Sequence, residues 1–233
     1  MIAVLLAGGK GTRLAPFTVS LPKPLMPVGN YPILEILIRR LKASGISRFI
    51  IATGHMESLI RAYFGDGSKL GVEISYSNES EPLGTAGPLK LLKKEINEPF
   101  LFINGDTYSN IDIVDFIASH NKSKCMATIG LTKRLVNIDF GVVKLDETQK
   151  YTGWQEKPTF EYLVSMGMYV FQPEVIDYIP KGFFNVPDLI EKLREINVNI
   201  NGYIHTGQWL DIGRIEDYHA ACKLEEENSY AIQ

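Results

Sequence analysis

Between Leu6 and Asn30 the chain reads LAGGKGTRLAPFTVSLPKPLMPVGN, which sets Gly8, Gly9 and Gly11 beside Lys10, Arg13 and Lys23. Glycines let a backbone come close to a ligand with its N–H groups exposed. Arginine and lysine neutralise phosphate charge, and Pro22 and Pro24 stiffen the stretch that presents Lys23. Together these residues suit a polyphosphate. A Walker A loop is excluded, because Gly9-Lys10 is followed by Gly11 where Ser or Thr is required, and the earlier glycine position is Val4. The dinucleotide fingerprint begins at Gly9 and Gly11 but meets Leu14 in place of its third glycine. A glycine-rich turn with incidental charges is the plainer reading. It leaves the three cations and the two flanking prolines unexplained.

The elements around this loop alternate between strand and helix. Ile2–Ala7 is a continuous apolar run, as in a parallel strand covered on both faces. Ile33, Ile36, Leu37, Ile38 and Leu41 repeat with helical spacing, and Gly45 follows as a C-terminal cap. Strands are predicted at Arg48–Thr53, Val72–Tyr76 and Phe100–Asn104, with a helix over Ser58–Phe64. Thr85 is expected to cap a helix through Leu92, with Pro88 in its first turn. Asn110 or Asp112 opens a helix through Ile117. Further strands are read at Ala127–Leu131, Val142–Leu145, Gly153–Glu156, Val164–Phe171, Ile200–His205 and Gln208–Ile212. Helices are read at Pro173–Ile179, at Pro187–Ile196 and from Arg214.

This order predicts an α/β, Rossmann-like doubly wound sheet, mostly parallel but mixed, with helices on both faces and a single catalytic core. Such sheets bind ligands beyond the carboxyl ends of their strands. The glycine-rich loop and Asp106 both follow strands at that edge, so topology alone brings them together. Taken singly, Asp106 and Asp211 each read as a turn residue or a helix cap.

The composition is that of a globular chain, with 233 residues, 45% hydrophobic and 22% charged, so a sizeable core is available. A net charge of −3 without a basic run argues against a nucleic-acid partner. Cys125 and Cys222 lack metal-ligand spacing and read as free thiols of a reducing cytoplasm. The start, MIAVLLAGG, reads as a buried strand and not a signal peptide, and no apolar run is long enough to span a bilayer.

GGKGTRLAPFTVSLPKPLMPV resembles the signature of the sugar nucleotidyltransferases, also called nucleotide-sugar pyrophosphorylases. EPLGTAGPL at 81–89, NGD at 104–106, FGVV at 140–143, EKP at 156–158 and WLDIGRIEDY at 209–218 follow in that family's order. The resemblance implies attack of a sugar 1-phosphate oxygen on the α-phosphorus of a nucleoside triphosphate. It implies catalytic roles for Arg13, Lys23 and Asp106, and nucleotide contacts from Leu6, Ala7, Gly8, Gly9, Gly11 and Thr12 together with Arg13 and Lys23. Asp106 and Asp211 would share a Mg²⁺ ion with the substrate phosphates. Asn104, Gly141, Glu156 and Lys157 would form the sugar side, with Lys157 on the sugar's phosphate, Glu156 on its hydroxyls and the Gly141 backbone passing close to the sugar. Without the resemblance, Glu156-Lys157-Pro158 is a solvated turn.

In the segment NESEPLGTAGPL, Gly84 would let the backbone approach a base edge beside Thr85. A carboxylate such as Glu81 only accepts hydrogen bonds. Guanine's N1–H and N2–H₂ could both donate to it, whereas uracil and thymine offer one donor each. EPLGTAGPL also looks most like the mannose 1-phosphate guanylyltransferases. Ser165-Met166-Gly167 departs from a family pattern with asparagine two residues before the glycine, which leaves the sugar open. The implied organisation is a nucleotide-binding half over 1–120 and a sugar-binding half over 121–233. The expected assembly is a monomer or small homo-oligomer without the regulatory extensions that relatives carry. A phosphocholine-type transferase would need an aromatic cage, and the aromatics here are scattered. A sensor that binds without turnover would have lost one of Arg13, Lys23, Asp106 or Asp211, and all are present.

Overall fold

The computed structural model describes residues 1–79 and 81–230, with side chains through Glu227. In chain order the main elements are β1 (Ile2–Ala7), α1 (Ile33–Ala43), β2 (Arg48–Thr53), α2 (Glu57–Phe64), β3 (Glu73–Asn78) and β4 (Phe100–Asn104). They continue with α3 (Ile113–Ser123), β5 (Ala127–Asn137), β6 (Thr159–Phe171), α4 (Val186–Glu195), β7 (Ile200–His205) and α5 (Ile215–Tyr230). The seven strands form one sheet in the order β7-β5-β6-β4-β1-β2-β3. β6 runs antiparallel to both its neighbours, and every other pairing is parallel. The doubly wound, mostly parallel mixed sheet read from the sequence is the observed one.

Alternation along β1 shows why both faces are covered. Ala3, Leu5 and Ala7 join a core with Leu34 and Leu37 of α1, Ile60 and Phe64 of α2, and Phe116 of α3. Ile2 and Val4 join a second core on the opposite face with Leu89, Leu92, Val175, and Leu189 and Leu193 of α4. A strand buried on both sides reads as an unbroken apolar run, which is how Ile2–Ala7 reads. A third cluster lies at the carboxyl edge of the sheet, where Leu14, Met26, Val28, Tyr108 and Ile212 pack with Ala221 of α5. This cluster seats the glycine-rich loop.

Three expectations are corrected. The segment after Thr85 is a 3₁₀ helix, Gly87–Leu92, and Thr85 does not cap it. Its hydroxyl instead accepts the backbone N–H of Val186 at 2.9 Å. Pro173–Tyr178 is likewise 3₁₀. The third concerns β5 and β6, which run past the predicted ends to Asn137 and back to Thr159, pairing with each other beyond the reach of β4 and β7. A hairpin of Val142–Leu145 and Tyr151–Gln155 continues this arm.

Candidate active site

β1 ends at Ala7, and the chain turns through Gly11, whose φ of 63° is in the left-handed region that glycine tolerates. Short 3₁₀ turns at Thr12–Leu14, Phe17–Val19 and Lys23–Leu25 fold the loop back on itself. Thr18 Oγ1 donates to Gly11 O at 2.8 Å. Leu14 and Met26 are buried in the third cluster, so the loop is anchored at both ends of its cationic stretch. Lys23 is itself buried, and its ammonium donates to the Asp106 carboxylate.

Asp106 is placed by a tight crossing. Gly105 N–H donates to Leu6 O at 2.8 Å, and a Cβ at 105 would stand 2.6 Å from that oxygen. Only glycine passes β1 this closely. Beyond it, Thr107–Ser109 pairs antiparallel with Trp209–Asp211, setting Asp211 opposite Thr107. Ile212 N–H donates to Asp106 O at 3.2 Å. The two aspartates thus hang from one ribbon. Burial raises the Asp211 carboxyl above its usual range, and neighbouring Asp106 adds to this, while Lys23 and Arg13 pull it down. The Arg13 guanidinium lies beside Gly213, where a Cβ would meet it at 3.2 Å. Two cations and two carboxylates therefore share one field.

α5 braces this ribbon from behind. Tyr108 OH donates to Glu225 at 2.6 Å, and Arg40 of α1 stacks over the Tyr108 ring at 4.1 Å. Arg40 also donates to Ser109 O at 2.6 Å.

Two adjoining concavities open at this edge. The smaller, about 270 Å³, is lined by Leu6, Ala7, Gly9, Gly11, Thr12, Arg13, Lys23 and Asp106, with Pro24 and Gly213. The larger, about 640 Å³, shares Leu6, Gly9 and Asp106 and adds Gly8, Lys10, Glu79, Glu81, Gly84, Thr85 and Asn104. Every nucleotide-side residue predicted from the sequence lines one or the other. Ser80, in the same segment, lies outside the described residues.

Glu81 is exposed, whereas Glu79 is half-buried and packs against Gly8 so closely that a Cβ there would be 2.8 Å from its Oε1. Burial raises the Glu79 pKa, countered in part by the Leu83 N–H that donates to Oε2 at 2.8 Å. Glu79 is thus the better-held of the two carboxylates.

Gly141, Glu156 and Lys157 line neither concavity; they sit on the arm formed by β5, β6 and the hairpin. Gly141 faces Trp154, since a Cβ at 141 would lie 2.2 Å from the indole Cζ2. The Trp154 Nε1–H donates to Glu156 Oε2 at 2.9 Å. Asn104, by contrast, lies under Gly167 of β6, where a Cβ would strike its side-chain amide at 2.4 Å. Nearby, Ser165 Oγ and Tyr169 OH are 2.9 Å apart.

His55, Gly54, Pro82 and Phe183 also line the large cleft. Sequence reading missed them. The position of Gly54-His55 just past β2, at the same carboxyl edge, was the available signal. Phe183 comes from a distant loop, and no local pattern announces it.

The smaller pocket, with its two cations, suits a chain of phosphates, and the larger suits a flat or ring-shaped group. Among the described residues no three of His, Cys, Asp and Glu gather as a metal centre. Asp106 and Asp211 offer only hard oxygen ligands, and Asp106 lies close enough to help raise the Asp211 pKa. That donor set fits magnesium, which completes its shell with phosphate oxygens and water.

Fold and site together define a mixed α/β protein with a glycine-rich cationic loop and paired aspartates at the carboxyl edge of its sheet. The family model described as nucleotidyl transferase matches residues 2–228, and the chain belongs to that family. It is 34% identical to a UTP–glucose-1-phosphate uridylyltransferase of Synechocystis, over 96% of this chain and 63% of that protein. It is 34% identical to a mannose-1-phosphate guanylyltransferase of Mycobacterium tuberculosis, over 93% of this chain and 62% of the relative. The chain thus spans somewhat under two thirds of the length of these relatives. Among solved structures it resembles HddC from Yersinia pseudotuberculosis complexed with GMP-PN, with a TM-score of 0.75 and 26% identity, covering 95% of this chain and 98% of that one.

Proposed function

We propose that the protein is a sugar 1-phosphate nucleotidyltransferase, joining a nucleoside triphosphate and a sugar 1-phosphate into a nucleotide-sugar with release of pyrophosphate. One observation carries this reading. Arg13, Lys23, Asp106 and Asp211 come from separate parts of the chain and converge beside the glycine-rich loop. Phosphoryl-type transfer asks mainly for positioning and charge neutralisation. Backbone N–H groups of Gly9 and Gly11, with Arg13 and Lys23, hold the triphosphate. An oxygen of the sugar 1-phosphate attacks the α-phosphorus, the bond from that phosphorus to the β-phosphate bridging oxygen breaks, and pyrophosphate leaves with its charge offset by the two cations. Asp106 and Asp211 would hold Mg²⁺, whose contribution is to polarise the phosphates. The Lys23 ammonium donates to an Asp106 oxygen, which holds the cation at the edge of the phosphate pocket.

We assign the base as guanine. Glu79 and Glu81 both line the large cleft, and acceptors match guanine's adjacent donors. The M. tuberculosis relative, named a guanylyltransferase, supports this. The Synechocystis relative supports uracil as the second reading. Asn104 meets the sugar phosphate from the cleft, and Glu156, Lys157 and Gly141 would do so only if the arm closes over it. The substrates are small molecules, with no nucleic acid or membrane partner, handled in the cytoplasm by a monomer or small homo-oligomer. No described helix is long and apolar enough to cross a membrane.

The test is magnesium-dependent pyrophosphate release with GTP, UTP, dTTP, CTP and ATP against a panel of sugar 1-phosphates, with Lys23→Ala as blank. Release with GTP supports both parts. Release with UTP alone keeps the reaction and removes guanine. Silence from the folded protein across the panel removes the reaction.

A further inference from the structure

We propose that Phe183 is a stacking platform for the nucleobase, an inference resting on the reading that the large cleft receives the base. Two phenylalanines stand side by side in this loop and behave in opposite ways. Phe184 packs partly buried against the second core. Phe183 is 64% exposed, yet it lines the 640 Å³ cleft beside Gly84 and Thr85. It stacks on no other ring among the described residues. What sets Phe183 apart from the other exposed aromatics is its place in the cleft wall, where a ligand covering the ring would remove apolar surface from water.

The loop is held in place without help from the Phe183 side chain. Phe184 N–H donates to Leu83 O at 2.9 Å, and Phe184 O accepts from Ala86 at 2.9 Å and Gly87 at 3.0 Å. Asn185 Oδ1 accepts from Thr85 N–H at 3.2 Å, and Thr85 Oγ1 accepts from Val186 N–H. Bonds at residues 184–186, immediately after residue 183, therefore fix where its ring emerges, against the same segment, Leu83–Gly87, that is expected to meet the base edge. Acceptors on one wall and a planar apolar face on another are what a nucleobase requires. Every base has a π-face, so such a platform adds affinity without choosing among bases. Selection is then left to Glu79 and Glu81.

The experiment is calorimetric titration of the whole chain with GTP, UTP and inorganic tripolyphosphate, for the parent, Phe183→Ala, Phe183→Trp and Glu79→Gln. Phe183→Ala is expected to weaken the preferred nucleotide about tenfold while leaving tripolyphosphate binding unchanged. Phe183→Trp should restore affinity. The melting temperature of Phe183→Ala should stay at the parent's value, since the ring is exposed and its loop is held by backbone. Nucleotide affinity within twofold of the parent, or an equal loss for tripolyphosphate, overturns the platform. If Phe183→Ala is silent but Glu79→Gln weakens the nucleotide, the platform alone falls. If both are silent, the base does not enter this cleft and the reading beneath falls as well. A parent that binds neither nucleotide removes the proposed function and this inference together.

Discussion

Replacing Gly84 by alanine tests how the base-facing segment is built. Gly84 has a φ of 80°, and a Cβ there would stand 2.6 Å from Phe184 O and 2.9 Å from Asn185 Oδ1. The left-handed backbone costs an L-residue ~1–2 kcal/mol. The clash must push Phe184 O outward, and that oxygen accepts two hydrogen bonds, from Ala86 and Gly87. Weakening both costs about 1 kcal/mol each. The sum is roughly 3 kcal/mol, which for a chain of this size lowers the melting temperature by about 6–12 °C. Below the transition the variant remains folded, with the Leu83–Gly87 segment no longer seated on Phe184 and Asn185. The KM for the nucleoside triphosphate should therefore rise about tenfold, while the KM for the sugar 1-phosphate stays near its parent value. Thermal melts followed by circular dichroism, with pyrophosphate release below the transition, give both numbers. A melting temperature within about 2 °C of the parent would refute the account of Gly84 as the residue that lets these two segments dock.

Three further outcomes are expected. Asp106→Asn should abolish magnesium-dependent pyrophosphate release with the circular dichroism spectrum unchanged; full turnover would remove Asp106 from the metal site. Tyr108→Phe deletes a hydroxyl that donates to Glu225 at 2.6 Å, which should cost about 1–3 kcal/mol. Because Tyr108 is two residues past Asp106 and pairs opposite Leu210, kcat should also fall several-fold, and an unchanged kcat would show that the brace does not reach the aspartates. His120 carries a pH dependence. It is fully buried, with Nδ1 2.9 Å from Thr128 Oγ1, and burial lowers its pKa below the ordinary value. Above the unfolded-state pKa both states are neutral and His120 contributes no pH dependence. As pH falls through that value the unfolded chain takes up a proton that the folded chain resists, so stability drops toward the lowered native pKa. The melting temperature should decline from pH 7 to pH 5, and His120→Gln should flatten that slope; a parent slope retained in the variant would assign it to other groups.

The parts of the fold that the sequence made legible are those where burial imposes a period. Ile2–Ala7, and the stretches 49–52 and 100–103 within β2 and β4, are unbroken apolar runs because both faces of each strand are covered. The ends of β5 and β6 escaped notice for the opposite reason. Lys133–Asn137 and Thr159–Leu163 pair only with each other, and almost all of their side chains, apolar and polar alike, meet solvent. No buried face exists there to set an alternation, and the pairing is carried by backbone bonds and contacts such as Lys133 to Glu161 at 2.9 Å. The 3₁₀ segment at Gly87–Leu92 was misread because Thr85 has the type of a helix cap, while its hydroxyl is taken by the distant Val186 N–H.

The site divides along the same line, between residue types that declare themselves and partners that do not. Gly8, Arg13 and Lys23 suggest phosphate chemistry from the local sequence alone, and parallel-sheet topology is enough to bring Asp106, which does not, to the same edge. Gly141 shows the limit. A glycine beside a predicted sugar site invites the reading that a ligand needs the room, and in this structure the room is filled by the Trp154 indole. That indole then donates to Glu156, and Trp154 is 59% exposed, so the ring lies in the notch without being buried. The glycine is demanded by a side chain thirteen positions later, and any bearing it has on the proposed sugar site would pass through the Glu156 carboxylate that this side chain engages. Gly8 makes the same point inside the cleft. It is part of the glycine-rich loop by sequence, but its missing Cβ is also what admits Glu79, so the wall proposed for the phosphates and the wall proposed for the base are fitted to each other.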